Sequence, residues 1–315
     1  MADSMSGALN TPGYSALTTG AGLVDLSARG RIRVTGEDRA RLLHAMCTNH
    51  VQQMKPGDGL YAFFLNAQGR IQADAFILCF EDHFLLDTEP ETRQPLFEHL
   101  DRFIIADDVT LEDISADTVC FSLEGPQAAE FVAAAALPAP NHRHSHIDQA
   151  GVTSAAIHGI RLYAAAALRD SIVNALEAAG AVAASAEDAE RARLKAFRPR
   201  YGVDITESTL PQETQQMHAL HFQKGCYLGQ EIVERIRSRG HVNKQLMGFR
   251  LEGHAVPAAG ASLFGGGKEV GEVTSAAESP DGSVYGLAYV RLPYNKPGSV
   301  AGIDGRPAEL FEPLI

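Results

Sequence analysis

Apolar and polar positions along this chain follow two periods, and the change between them marks the elements. LYAFFL and RIQADAFILCF are apolar runs on either side of Asn66-Ala67-Gln68-Gly69. Two such runs around a four-residue turn with Gly predict a β-hairpin. Upstream, Arg31-Ile32-Arg33-Val34 reads as a strand, and Leu42, Leu43, Met46 and Cys47 share one face of a helix. Thr35 is the expected cap of that helix, with Asp38 at the capping-box position. A strand at Phe84–Asp87 and a helix around Thr92–Phe103 complete a first unit. A second unit repeats the order: strand TVCFSLEG, helix QAAEFVAAAAL, a hairpin about His158-Gly159 and a helix from Asp170 to Ala179.

Strand–helix–hairpin–helix, twice, predicts an α+β fold of two ferredoxin-like units related by internal duplication. Between hairpin and helix of the second unit, Pro138–Gln149 carries His142, His144 and His146 and reads as an exposed linker rather than a metal site. A helix at Glu187–Phe197 leads into a loop rich in turn residues. From Leu246 onward, short apolar strands separated by Gly, Pro and Asp-Gly predict a small antiparallel β-barrel. The boundaries that follow are a flexible tail over 1–20, an α+β region over 21–240 and a barrel over 241–315. The α+β region divides into interleaved subdomains of approximately 21–115 and 116–240.

Composition narrows the function classes. The 315 residues are 45% hydrophobic, enough for a sizeable core, and the formal net charge of −12 opposes duplex phosphate, so nucleic acid is not expected as a partner. No apolar run approaches the roughly 20 residues of a membrane helix, and no membrane partner is expected. Residues 1–20 contain no Lys or Arg, unlike a secretory signal or a presequence, so a cytoplasmic location is expected. The four cysteines, Cys47, Cys79, Cys120 and Cys226, form no CxxC pair. Cys79 and Cys120 lie in apolar runs and are expected in the core.

The unusual segment is Phe222-Gln223-Lys224-Gly225-Cys226-Tyr227-Leu228-Gly229-Gln230-Glu231, followed by Ile232-Val233-Glu234-Arg235. Ile232, Val233 and Ile236 have helical spacing, which places Cys226 just before a helix start. The helix dipole and Lys224 would there favour the thiolate, the form that acts as nucleophile or metal ligand. A buried cysteine in a Gly-containing turn is the other reading these residues leave open.

Lys224-Gly225-Cys226-Tyr227-x-Gly229-Gln230-Glu231-x-x-x-Arg235 resembles the signature of the folate-binding family that bacterial YgfZ and mitochondrial Iba57 represent, a family similar in fold to the glycine-cleavage T-protein aminomethyltransferases. Arg31-Ile32-Arg33-Val34-Thr35-Gly36, Phe64-Leu65-Asn66-x-x-Gly69-Arg70-Ile71-x-x-Asp74, Leu210-Pro211-Gln212-Glu213 and Gly271-x-Val273-Thr274-Ser275 extend the resemblance. It implies three domains around a central channel, with tetrahydrofolate or a folate derivative as cofactor. It also implies an accessory role in assembly or repair of iron–sulfur clusters, with assembly proteins and [4Fe–4S] client enzymes as partners, rather than a conventional enzyme. The alternative is a folate-dependent aminomethyltransferase or other one-carbon transferase. Carried over residue by residue, Asp74 takes the acidic position that contacts the pterin nitrogens, and Asn66 and Gly69 shape the adjoining turn. Cys226 and Lys224 become the catalytic pair, while Gly225, Tyr227, Gly229, Gln230, Glu231 and Arg235 join the folate side of the site. His50 and Arg198-Pro199-Arg200-Tyr201-Gly202 depart from the family pattern. The Lys-Gly-Cys-Tyr and Gly-Gln-Glu residues differ from those of the true aminomethyltransferases, which argues against glycine cleavage as the main activity.

Overall fold

A computed structural model describes residues 9–140, 142–240 and 242–313. The chain opens with helix α1 (Pro12–Thr19) and strand β1 (Gly22–Asp25). Part of the expected flexible tail is therefore ordered, and residues 1–8 lie outside the described residues. Thr11 caps α1 by accepting from the Tyr14 amide at 3.0 Å, with Pro12 in the first turn, where its missing N–H has no partner to lose. The helix buries Tyr14, Ala16 and Leu17, and the Tyr14 hydroxyl shares a 3.1 Å hydrogen bond with Ser279 of the distant C-terminal domain.

The first sheet contains β2 (Gly30–Thr35), β3 (Gly59–Leu65), β4 (Ile71–Cys79), β5 (Phe84–Thr88) and β6 (Thr110–Asp113), ordered β3-β4-β5-β2-β6. Helices α2 (Arg39–Met46) and α3 (Arg93–Asp101) cover one face. Leu43, Met46, Leu96 and Leu100 there pack against Ile32, Phe64 and Ile77. Helix α2 starts after Asp38, not after Thr35. The Asp38 carboxylate makes no cap bond and instead accepts from the Asp108 amide at 3.0 Å, tying the helix start to the loop before β6.

The second sheet contains β7 (Thr118–Glu124), β8 (His146–Gln149), β9 (Val152–Ala155), β10 (Ile160–Ala165) and the short β11 (Val182–Ala183), with α4 (Ala128–Ala134) and α5 (Arg169–Ala178) on its outer face. Its order is β11-β1-β7-β10-β9-β8. Read from β8, this is the order of the first sheet, except that β1, from the start of the chain, fills the place of β6 and β11 adds a sixth strand at the edge. The expected α+β duplication is thus present, and the two units exchange a strand. The stretch read as an exposed linker contributes β8, whose first residue, His146, is buried.

Helix α6 (Ala186–Lys195) begins at a capping box of Ser185 and Asp188. A long loop then leads to α7 (Gln230–Arg239). The barrel closes from β12 (Lys244–Glu252), β13 (Ser262–Gly265), β14 (Lys268–Glu278), β15 (Ser283–Arg291), β16 (Val300–Ile303) and β17 (Arg306–Phe311). It is held to the α+β region through buried Asp204, whose carboxylate accepts from Thr274, Ser275 and Arg193 at 2.6, 2.5 and 2.6 Å.

The inner faces of the two sheets meet each other, and this explains β4. Ala73, Ala75 and Ile77 point to the helices, whereas Phe76 and Leu78 point to Cys120, Ala155 and Tyr163 of the second sheet. A strand buried on both faces reads as a near-continuous apolar run. Successive side chains alternate faces, so Asp74 shares the inner face with Phe76.

Candidate functional site

Asp74 is a buried carboxylate on that inner face, between Phe63 of β3 and the rings of Tyr61 and Phe76. It is 6% exposed. The Tyr61 hydroxyl, from the diagonal position on β3, donates to its Oδ2 at 2.6 Å, and its Oδ1 has no partner among the described residues. Burial, reinforced by the nearby Glu89 carboxylate, outweighs the Tyr61 hydrogen bond and the Arg29 charge and pushes the Asp74 carboxyl up to about 7. A group poised there can hold or release a proton near neutral pH.

Aromatic rings line the space around it. Tyr61 stacks on His218 at 5.4 Å and 26° and meets Phe76 at 5.0 Å. Phe76 in turn touches His144 at 5.4 Å and His158 at 5.7 Å, with the Arg161 guanidinium 5.1 Å above its ring. Burial pushes His144 down to about 3 and His218 down to about 4, so both rings are neutral walls at physiological pH. His144, expected in an exposed linker, is half-buried in this wall. Below it lies an ionic cluster between the sheets. Fully buried Asp87 on β5 accepts from Arg29 at 2.5 Å, Arg161 at 2.6 Å and the Tyr163 hydroxyl at 2.5 Å.

The cysteine motif is built differently from its expected reading. The buried Lys224 ammonium does not serve Cys226. It donates to the carbonyls of His44 and Cys47 at the end of α2, and it lies 4.9 Å over the Tyr227 ring. The His44 ring Nε2 bonds the Lys224 carbonyl at 2.7 Å, and the Leu228 amide donates to Ala45 at 3.0 Å. Residues 224–228 therefore cap the C-terminal turn of α2, where carbonyls lack partners and the dipole favours a cation. Burial lowers the pKa of Lys224 itself.

Two glycines also have packing tasks. Gly229, at φ 82°, caps α7, and a Cβ there would sit 2.6 Å from the Asn66 carbonyl. A Cβ on Gly69, at φ 71°, would sit 2.7 Å from Ile232. The structure thus brings Asn66, Gly69 and Gly229 together at the hairpin tip, with Gln230 accepting from the Tyr227 amide at 2.9 Å. Asp74 lies apart, five residues along β4, roughly 16 Å of extended strand from Gly69. Gly225, Cys226, Glu231 and Arg235 are exposed.

Of the residues around Asp74, the sequence reading named none of Tyr61, Phe76, His218 and Arg161. The register across the Asn66–Gly69 turn could have pointed to Tyr61. His218 and Arg161 arrive from other units and leave no local signal.

Cys226 is the only exposed cysteine of the four. Burial pushes Cys79 up to about 11 and Cys120 up to about 12, and raises Cys47. Iodoacetamide should modify one thiol in the native protein and all four after unfolding, as read by mass spectrometry. Cys226→Ser should remove the native signal. Native labelling at another cysteine first would contradict this placement.

Among the described residues, no helix is long and apolar enough to cross a membrane, and no group of three or more His, Cys, Asp or Glu side chains is placed to hold a metal ion. Residues 11–224 match the GCVT N-terminal domain, and residues 244–310 match the glycine cleavage T-protein C-terminal barrel domain. An aminomethyltransferase of Rubrobacter xylanophilus is 30% identical over 292 residues, which cover 88% of this chain and 78% of that protein. An Arabidopsis thaliana protein named as a chloroplastic transferase is 28% identical over 289 residues, 88% of this chain, and this chain spans 66% of its length. The aminomethyltransferase T of the Bartonella henselae glycine cleavage system matches in structure with a TM-score of 0.85 at 22% identity, over 96% of this chain and 87% of that one. The fold is accordingly that of the T-protein, with the barrel in the expected place.

Proposed function

The chain belongs to the family defined by the GCVT N-terminal domain and the T-protein C-terminal barrel, and from that premise we propose that it is a tetrahydrofolate-dependent one-carbon transferase with Asp74 as its working carboxylate. The observation that carries this reading is the unpartnered, buried Oδ1 of Asp74 beside stacked rings. A buried acceptor without a donor suits the guanidine-like edge of a pterin, and the faces of Tyr61, Phe76 and His218 suit a flat heterocycle. Bound tetrahydrofolate would supply the nitrogens that take up a one-carbon unit. Tyr61 holds Oδ2, so that Oδ1 alone is directed to the ligand. The neutral histidines add no competing charge. Asp74, near neutrality, can polarise an amine or hold its proton. The names of the relatives support the aminomethyl group as cargo.

A second reading is the YgfZ and Iba57 branch: an accessory factor for [4Fe–4S] enzymes, working in the cytosol with iron–sulfur assembly proteins. One observation favours it, the exposure of Cys226 on a loop braced from both sides.

Tetrahydrofolate should raise the melting temperature, because ligand at 100 times Kd adds about 2.7 kcal/mol when it binds only the native state. No thermal shift and no calorimetric heat at millimolar folate would defeat both readings. Formaldehyde-equivalent transfer to tetrahydrofolate by the purified protein supports the transferase. A deletion strain with failing [4Fe–4S] enzymes and intact glycine cleavage, and no transfer by the purified protein, supports the accessory factor.

A further inference from the structure

A cleft of about 340 Å³ opens where the outer face of the barrel meets the turn at residues 203–209, away from Asp74. This volume lies at the lower end of the range of small-molecule sites, and interfaces between domains are a usual place for them. Strand register arranges its charges. Lys244 on β12 faces Arg291 on β15, and Tyr289 on β15 faces Glu272 on β14. Tyr289 on β15 forms the floor, with Arg291 two residues further along the same strand, Lys244 diagonally across on β12 and Glu272 directly opposite on β14. Two strand spacings, about 10 Å, separate β12 from β14. Glu269 adds a second carboxylate on the β14 side.

None of these four charged groups makes an ion pair among the described residues, although Lys195 and Arg250 elsewhere on this face do. The Lys244 ammonium rests on the Tyr289 ring at 4.4 Å. Asp204, in the same cleft, is fully engaged by Arg193, Thr274 and Ser275. Two features ask for a ligand. Like charges directly opposite in a sheet repel, and Lys244 with Arg291 is such a pair. The Tyr289 side chain is nine-tenths buried, and its hydroxyl sits beside Thr209 on the cleft wall, where that contact leaves its hydrogen-bonding capacity only partly used. An anionic group between the two cations would relieve both, and a positive group on the same molecule would answer Glu272 and Glu269.

We propose that this cleft binds a free α-amino acid, its carboxylate on Lys244 and Arg291 beside the Tyr289 hydroxyl, and its ammonium toward Glu272 and Glu269. A plain anion would meet repulsion from the two carboxylates, and a plain amine would meet it from the two cations. The zwitterion satisfies both walls. This site is independent of the folate reading.

The test uses the full-length protein and calorimetric titration with glycine, serine and glutamate, with acetate and methylamine as half-molecule controls. At least one amino acid should bind, and neither control should bind at the same concentration. Lys244→Ala and Glu272→Gln should each weaken binding by about tenfold, the loss of one charge-assisted contact. Glu272 is exposed, so Glu272→Gln should leave the melting temperature unchanged, and Lys244→Ala, which gives up a ring contact with Tyr289, should stay folded with at most a small drop. No binding of any amino acid at tens of millimolar would overturn the proposal. So would equal binding of acetate, or unchanged affinity in both variants.

Discussion

Asp74→Asn should abolish folate-dependent transfer and yet make the protein more stable. Asn keeps the volume and an acceptor for Tyr61, but it can neither hold a proton at Oδ1 nor offer a charge to a pterin edge, and loss of a positioned acid or base costs about 10²–10⁴-fold in rate. The stability change follows from the raised carboxyl. The folded state holds this proton up to about pH 7, whereas the unfolded chain releases it near 3.8. Folding therefore takes up a proton between about pH 4 and 7, and stability falls as pH rises through that window. Above pH 7 the full cost is present, with an upper bound of about 4 kcal/mol at about 1.4 kcal/mol per tenfold change in proton affinity. Denaturant unfolding at pH 4.5, 6 and 8 should show the variant gaining on the parent as pH rises. A variant that is destabilised at pH 8, or that keeps its transfer rate, would remove Asp74 from the mechanism.

The second large effect belongs to Asp87. Removing it by Asp87→Ala leaves Arg29 and Arg161 buried without their shared counter-charge, and breaking one side of a buried ion pair typically costs 3–5 kcal/mol. The urea midpoint should fall accordingly, and both sheets should lose protection together, because the pair joins β5 to β10. Combining Asp87→Leu with Arg161→Met should recover part of the loss, since well-packed apolar groups of similar size can replace a buried pair. The pH dependence runs opposite to that of Asp74. Burial alone would raise the Asp87 carboxyl, but Arg29 and Arg161 with the Tyr163 hydrogen bond hold it at about 2. The stability it supplies is complete above about pH 4 and is lost as pH falls toward 2, on the order of 2–3 kcal/mol in all. Buried neutral His144 and His218, held at about 3 and about 4, also lose stability as pH falls below about 6.5, so the Asp74 and Asp87 contributions are read from each variant's difference from the parent rather than from the parent's own optimum. An Asp74→Asn variant whose advantage over the parent does not grow from pH 4.5 to 8, or an Asp87→Ala variant whose deficit does not shrink as pH falls from 4 toward 2, would contradict the respective assignment.

Much of this architecture was legible before any coordinates. The β3–β4 hairpin, the helix that carries Leu42 to Met46, the helix from Gln230, the duplicated element order and the barrel all rest on local signals, namely period, turn residues and glycine positions, which act over a few residues. Asp74 came to notice only through the T-protein resemblance; its burial on the inner face of β4 was decided by the packing of the two sheets. The pieces that escaped were short or paired at long range. Strands β1 and β11 are too brief to show a period, and the sheet they complete is built from both ends of the α+β region. The Pro138–Gln149 stretch looked like a linker because its histidines are polar by type, yet packing makes His144 a wall and His146 a strand end. Lys224 shows the limit best. By sequence its nearest chemical neighbour is Cys226, but its ammonium is held by carbonyls about 180 residues away at the end of α2. Local pattern determined which elements form and which faces are apolar, because those depend on neighbours in the chain. Which side chains meet inside, Tyr61 and His218 around Asp74 or Arg161 on Asp87, was decided only when two sheets packed face to face and their registers brought distant residues within hydrogen-bond reach.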